Sequence, residues 1–296
     1  MSSLALPRGL VAPALTPFTA SGAIDYGVYR DQISYLLEQG IHGVSPGGST
    51  GEGATLEDDE LGRLVAEARE IAGERPVVAG VIRSSTKAAV RAALVARDAG
   101  ADALMVTPTF YNVLVPDDAG NEAFYRAISD EVQLPIIIYN VVPQNEISPR
   151  LFTRLRGIEH VVGVKQSVGG VMAMYDMRLT APDAMVYAAT DELLFTCFEL
   201  GADGAISAVL SLFPAECRRL WDAAQEQRHE DGRALQDAMF PIWKVVRGPQ
   251  FPARVKAALS ILGRDLGESR SPASPVPNAV REALQNALAP LAGTSR

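Results

Sequence analysis

Cysteine is nearly absent from this chain: two in 296 residues, Cys197 and Cys217, and not as a C-x-x-C pair. A disulfide framework is thereby excluded, and a cytoplasmic setting is expected. Histidine is almost as scarce, and His42, His160 and His229 lack metal-ligand spacing, so no metal is expected. No apolar run approaches the roughly 20 residues that span a bilayer. The start, Met1-Ser2-Ser3-Leu4-Ala5-Leu6-Pro7-Arg8, has no basic region ahead of an apolar core. Neither a membrane span nor a signal peptide is therefore expected. Positive charge is in deficit, with 27 Lys and Arg against 35 Asp and Glu and a net charge of −8. That balance argues against nucleic acid or an anionic membrane as partner. It does not exclude a small anionic substrate, because a local pocket can oppose the global sign.

What is present is a soluble composition, 48% hydrophobic and 21% charged, arranged as short apolar runs alternating with longer amphipathic ones. The runs predict strands at Gly9–Leu15, Gly43–Pro46, Pro76–Ile82, Ala103–Thr107, Pro135–Asn140, Val161–Ser167, Met185–Ala189 and Gly204–Ala208. Helices are predicted at Tyr26–Gln39, Leu56–Ala72, Thr86–Asp98, Gly120–Glu131, Pro149–Leu155 and Glu192–Leu200. The phrases Gly100-Ala101-Asp102 and Gly201-Ala202-Asp203 repeat one helix-to-strand join, as a repeating βα unit would. Eight such units point to an α/β fold of the (β/α)8 barrel type, with a doubly wound open sheet as the alternative. After Ala208 only helices are predicted: Phe213–Arg228, Gly232–Val246, Phe251–Leu262 and Asn278–Leu291. The division read here is a barrel over residues 1–228 and a C-terminal helical extension of the same unit over 229–296.

Lys165 is out of place at the end of Val161-Val162-Gly163-Val164, a run that reads as a buried parallel strand. A charge there is costly. It is either a surface residue at a strand end or a reactive amine, and a neutral amine attacks ketones to form Schiff bases. In a barrel, chemistry gathers at the C-terminal strand ends. The other ends carry Gly47-Gly48-Ser49-Thr50-Gly51-Glu52-Gly53, Thr107-Pro108-Thr109-Phe110-Tyr111-Asn112, Tyr139-Asn140, Thr190-Asp191 and Ile206-Ser207. The glycine-rich loop allows successive N–H groups to face an anion, with Ser49 and Thr50 adding hydroxyls. It is otherwise a plain strand–helix turn, and it is not a P-loop. Tyr139 reads as a core aromatic or, beside a strand-end lysine, as a proton shuttle. Glu52 reads as an anchor for its loop rather than an acid catalyst, and both cysteines as packing residues.

Three stretches in this order and spacing, Gly48-Ser49-Thr50-Gly51-Glu52, Tyr139-Asn140-Val141 and Gly163-Val164-Lys165, resemble the dihydrodipicolinate synthase / N-acetylneuraminate lyase family of Schiff-base aldolases. Pro13-Ala14-Leu15-Thr16-Pro17-Phe18 and Phe251-Pro252-Ala253-Arg254-Val255-Lys256 extend the resemblance over nearly the whole chain. The resemblance implies that Lys165 forms an imine with pyruvate or another 2-oxo acid and that Tyr139 shuttles protons. It implies that Gly48, Ser49 and Thr50 hold the substrate carboxylate and that Ile206 lines the pocket. Tyr111 resembles a tyrosine that reaches into a neighbouring subunit's site, in a homotetramer built as a dimer of dimers. No cofactor is implied.

The chain also departs from the synthase pattern. Gln144 stands where synthases usually have an arginine, Ser49-Thr50 replaces a Thr-Thr pair, Thr109-Phe110-Tyr111 is one residue longer, and Thr190 stands where glycine is common. These departures favour an aldolase or dehydratase for a sugar-derived 2-keto-3-deoxy acid. The alternative is the synthase reaction, in which pyruvate condenses with aspartate semialdehyde. A third reading is a non-catalytic barrel that binds a keto acid.

Overall fold

Strands buried along nearly their whole length need cover on both faces, and this chain supplies it by alternating each strand with a helix. The computed structural model describes residues 8–292. The first seven residues, read above as lacking a leader pattern, and the last four of the extension lie outside the described residues. The strands are β1 (Gly9–Pro13), β2 (Gly43–Ser45), β3 (Val78–Val81), β4 (Ala103–Val106), β5 (Ile136–Asn140), β6 (Val161–Gln166), β7 (Met185–Ala188) and β8 (Gly204–Ala205). The helices are α1 (Tyr26–Glu38), α2 (Asp58–Ala72), α3 (Thr86–Asp98), α4 (Asp118–Val132), α5 (Pro149–Leu155), α6 (Gly170–Thr180), α7 (Leu194–Glu199), α8 (Val209–Leu212) and α9 (Pro214–Gln225). Three more follow the barrel: α10 (His229–Val246), α11 (Phe251–Ile261) and α12 (Asn278–Ala292).

All strand pairs are parallel, in the order β2-β1-β8-β7-β6-β5-β4-β3. Because β1 pairs with both β2 and β8, the sheet wraps round on itself. The gap between β2 and β3 is closed by a parallel bridge from Val44 to Val77 and by the Gly80 N–H donating to the Pro46 carbonyl at 2.8 Å. The fold is thus a (β/α)8 barrel, not an open doubly wound sheet. Val11, Val78, Met105, Ile137, Tyr187 and Ile206 fill its interior as one apolar cluster, and the outward side chains join the helices in the main core.

Helix starts follow local chemistry. Asp25, Ser85, Asp117 and Ser148 each accept an N–H of the first helical turn, as N-caps do. Strand and helix positions agree with the sequence reading to within a few residues at each end. Strand β8 is shorter than the expected Gly204–Ala208, because Ser207 turns its hydroxyl to Asp191 and the chain then coils into α8. Helix α6 was not anticipated. Its apolar residues lie on both faces, with Met174 and Met177 inward and Met172 and Leu179 exposed, so it shows little amphipathic period.

The repeated Gly-Ala-Asp join has a specific physical basis. Gly100 and Gly201 adopt positive φ, +97° and +85°, which ends the helix. The aspartate that follows then exchanges two hydrogen bonds with the neighbouring strand. The Asp102 N–H donates to the Val77 carbonyl at 2.9 Å, and its carboxylate accepts from the Val77 N–H at 2.8 Å. Asp203 does the same with Val186, at 2.9 Å both ways. Each aspartate therefore sets the entry register of its strand. Replacing buried Asp203 with Ala orphans the Val186 N–H, and we expect a loss of about 1–3 kcal/mol in urea unfolding; an unchanged midpoint refutes the role.

Candidate active site

Period-two alternation on β5 and β6 decides which side chains enter the barrel. The two strands pair so that Tyr139 lies opposite Lys165 and Asn140 opposite Gln166. Tyr139 and Lys165 thus face the same way at the same height, and Lys165 is also opposite Tyr187 on β7. Lys165 is only 4% exposed, and its Nζ sits 3.7 Å from the centre of the Tyr139 ring. The aromatic face offers an ammonium some of the stabilisation that burial removes. The next residues along tie the pair together: Asn140 Nδ2 donates to Gln166 Oε1 at 2.9 Å and to the Ile147 carbonyl, while Gln166 Nε2 donates to the Val168 carbonyl.

Both residues open on a cavity of about 420 Å³, which Ser49, Thr50 and Ile206 also line. The structure therefore brings together five of the seven residues picked from the sequence. Gly48 does not line the cavity, and its carbonyl accepts from the Gly53 N–H at 3.0 Å. Tyr111 is not on the wall either. It is 55% exposed on the loop after β4, beside exposed Phe110, Val113 and Leu114. Gln144 is exposed and off the wall as well.

The glycine-rich loop is built to be rigid. Gly47 has φ +73°, and a Cβ on Gly53 would lie 1.7 Å from the Gly47 carbonyl oxygen, so the loop closes on itself only with glycine there. Thr16 Oγ1 donates to the Gly51 carbonyl at 2.6 Å. Arg83, past the end of β3, donates to the carbonyls of Gly53 and Leu56 and pairs with Asp58 at 2.9 Å. Glu52, itself at φ +58°, is held from the far end of the chain. Its carboxylate pairs with Lys256 Nζ at 2.7 Å and accepts the Arg270 N–H at 2.9 Å. Lys256 also donates to the Glu268 carbonyl, and the Arg270 guanidinium grips Glu60 at 2.6 Å. The anchor role expected for Glu52 holds, with partners no local pattern could name.

Asp191 lies at the end of β7, on the wall. It accepts from Ser207 Oγ at 2.5 Å and from the Val209 N–H at 2.9 Å. Burial pushes its carboxyl up from the ordinary range, against those two hydrogen bonds and the nearby positive charge of Lys165. Lys256, similarly, is pushed down by burial, against the opposing pull of Glu52. Burial also raises the thiol pKa values of Cys197, to about 11, and of Cys217, as suits packing residues. Among the described residues no three His, Cys, Asp or Glu side chains are grouped to hold a metal ion. Among the same residues no helix is long and apolar enough to cross a membrane.

The sequence reading passed over several contributors: Gln166, Asp191 as a buried acid, Trp243, Arg247 and Lys256. Lys256 was visible within the Phe251–Lys256 stretch, but nothing near it in sequence showed its partner Glu52. Taking Lys256 to Met leaves the Glu52 carboxylate buried and unpaired, a change of about 3–5 kcal/mol. We expect a lower melting temperature and a higher KM for the 2-oxo acid, with the double change Lys256→Met, Glu52→Gln recovering much of the stability. A double variant no more stable than the single one would show that the pair is not the brace.

The family model described as "Dihydrodipicolinate synthetase family" matches residues 6–291. A 4-hydroxy-tetrahydrodipicolinate synthase of Methylobacterium radiotolerans is 34% identical over 285 residues, covering 95% of this chain and 94% of its own. One of Syntrophus aciditrophicus is 32% identical over 285 residues, with 95% and 97% covered. The crystal structure of a chloride-inhibited dihydrodipicolinate synthase from Acinetobacter baumannii, complexed with pyruvate, superposes with a TM-score of 0.90 at 28% identity, covering 96% of this chain and 98% of that one. The barrel, the glycine-rich loop and the buried lysine are thus those of a chain that belongs to the dihydrodipicolinate synthetase family of class I aldolase-type lyases.

Proposed function

We propose that this protein is a Schiff-base-forming aldolase or dehydratase that acts on pyruvate or a sugar-derived 2-keto-3-deoxy acid through an imine at Lys165. The observation that carries this reading is the buried Lys165 amine, 3.7 Å over the Tyr139 ring, in one cavity with Ser49 and Thr50. Lys165 Nζ attacks C2 of the 2-oxo acid, a C–N bond forms, and the keto oxygen leaves as water after taking two protons. Ser49 and Thr50 hold the C1 carboxylate, with Gly48 shaping their loop, and Ile206 packs beside the imine. The Tyr139 hydroxyl carries protons between the departing oxygen and C3.

The protonated imine draws electrons from C3. In cleavage the C4 hydroxyl gives up its proton, the C3–C4 bond breaks and its electron pair forms the enamine as the aldehyde leaves. In dehydration C3 loses a proton and the enamine expels the C4 hydroxyl as water. After cleavage the enamine takes a proton at C3 to become the imine of pyruvate, and addition of water to the imine then frees Lys165 and restores the keto oxygen. The imine nitrogen is the electron sink, so this chemistry calls for no cofactor or metal.

A second reading is favoured by the curated relatives, which are named 4-hydroxy-tetrahydrodipicolinate synthase. It has pyruvate condensing with aspartate semialdehyde. Gln144, exposed and off the cavity wall where synthases usually carry an arginine, weighs against it. Incubation with pyruvate followed by borohydride and peptide mapping tests the imine. We expect the mass gain on Lys165, loss of turnover in Lys165→Ala, and a rate in Tyr139→Phe lowered more than its imine formation. An adduct elsewhere, or none, overturns the mechanism. Turnover of sugar acids against aspartate semialdehyde separates the two substrates, and an adduct without any turnover would mean a barrel that only binds.

The buried free cysteines fit work in the cytoplasm. Two exposed apolar patches support a homotetramer built as a dimer of dimers. One is Tyr111, Val113 and Leu114, from which Tyr111 would enter a neighbour's site; the other is Met172 and Leu179 on α6, 82% and 64% exposed. Changing Met172 and Leu179 together to Glu should halve the particle mass in sedimentation, from tetramer to dimer. A tetramer that survives rules out α6 as an interface.

A further inference from the structure

The cavity outsizes the first substrate. At about 420 Å³ it falls in the range of sites for ligands well beyond three carbons. Beyond Lys165 and the carboxylate seat, its wall comes from the helices after the barrel: Trp243 on α10, Arg247 just past its end, and Phe251 on α11. The seat and the imine account for C1 and C2 of a substrate. What faces the remaining carbons is set by this outer wall.

Four charged side chains line the cavity: Lys165, Asp191, Glu192 and Arg247. Asp191 is committed to Ser207 and the Val209 N–H. Lys165 would be spent in the imine. Arg247 is then the one lining cation left to meet a ligand, among the described residues. Its Nη1 donates to Glu192 Oε1 at 3.0 Å, which uses one of the fork's five N–H donors and orients the rest. The side chain is 70% exposed at the rim, so a ligand reaches it without displacing packing.

We propose that Arg247 binds the terminal carboxylate of a 2-keto-3-deoxy diacid, and that such diacids are preferred over sugar acids ending in a hydroxymethyl group. A planar fork matches a carboxylate with two parallel hydrogen bonds and has no such match for a hydroxymethyl end. Glu192 stays paired with Arg247 and accepts from hydroxyls along the chain. This assignment rests on the Lys165 imine.

The test compares two 2-keto-3-deoxy acids of equal chain length, one ending in carboxylate and one in hydroxymethyl. For each, the concentration that gives half-maximal borohydride labelling of Lys165 is measured, together with kcat/KM where turnover occurs. Wild type should favour the diacid by about tenfold or more, chiefly in the half-saturating concentration. In Arg247→Met the ratio should fall to near one, and Arg247→Lys should lie between. Both acids are measured on one preparation, so any misfolded fraction cancels in the ratio. A wild-type ratio near or below one, or a preference that survives Arg247→Met, overturns the assignment. Labelling by pyruvate at Lys165 without a diacid preference overturns Arg247 alone, whereas no labelling by pyruvate overturns the reading beneath it.

Discussion

The register between β5 and β6 is the constraint on which the rest of the site depends. Tyr139 pairs with Lys165 and Asn140 with Gln166, so one set faces the barrel and the other faces the helices. A slip of β6 by one residue would send the Lys165 amine into the helix layer and the Gln166 amide into the apolar interior, away from its Asn140 partner. Such a slip would cost two buried charge or amide burials without partners, far more than a ladder bond gains. The Asn140–Gln166 side-chain bond, with its links to Ile147 and Val168, is the local lock. Rigidity between lysine and tyrosine is therefore a product of the amides beside them.

The helices after the barrel complete the cavity from two sides. From behind, Lys256 and the backbone of Arg270 hold Glu52, and the Arg270 guanidinium holds Glu60 at the start of α2. From the rim, Trp243, Arg247 and Phe251 supply the outer wall. Burying an ion pair such as Lys256–Glu52 does not in itself favour folding over apolar packing. Its value is geometric, because Glu52 sits in a left-handed conformation that the loop needs and that few side chains adopt unaided. The glycine-rich loop that carries Ser49 and Thr50 is thus held in place before any ligand arrives.

Most of the architecture was legible in the chain because strand burial and helix capping are local. Asp25, Ser85 and Ser148 mark helix starts whatever lies elsewhere, and the β-branched runs admit only a buried parallel sheet. Helix α6 escaped because exposed Met172 and Leu179 blur its period. Strand β8 came out short because its end is set by Asp191, in the turn that follows β7. In the site, Lys165 announced itself by being a charge in an apolar run, and Ser49, Thr50 and Tyr139 by standing at strand ends. Gly48 and Tyr111 do not line the cavity: the Gly48 carbonyl accepts from the Gly53 N–H within the loop, and Tyr111 is exposed after β4.

The amino-acid sequence by itself determined the alternation of strands and helices, the strand ends where polar groups gather, and the lysine that must react or be compensated. These follow from hydrophobic period and turn chemistry, which act over a few residues. Only the tertiary structure decided which of those groups share a cavity and what holds them. Glu52 and Lys256 are over 200 positions apart in the sequence, and Glu192 meets Arg247 across 55. Charge pairing and close packing act through space, and barrel closure is what makes such residues neighbours.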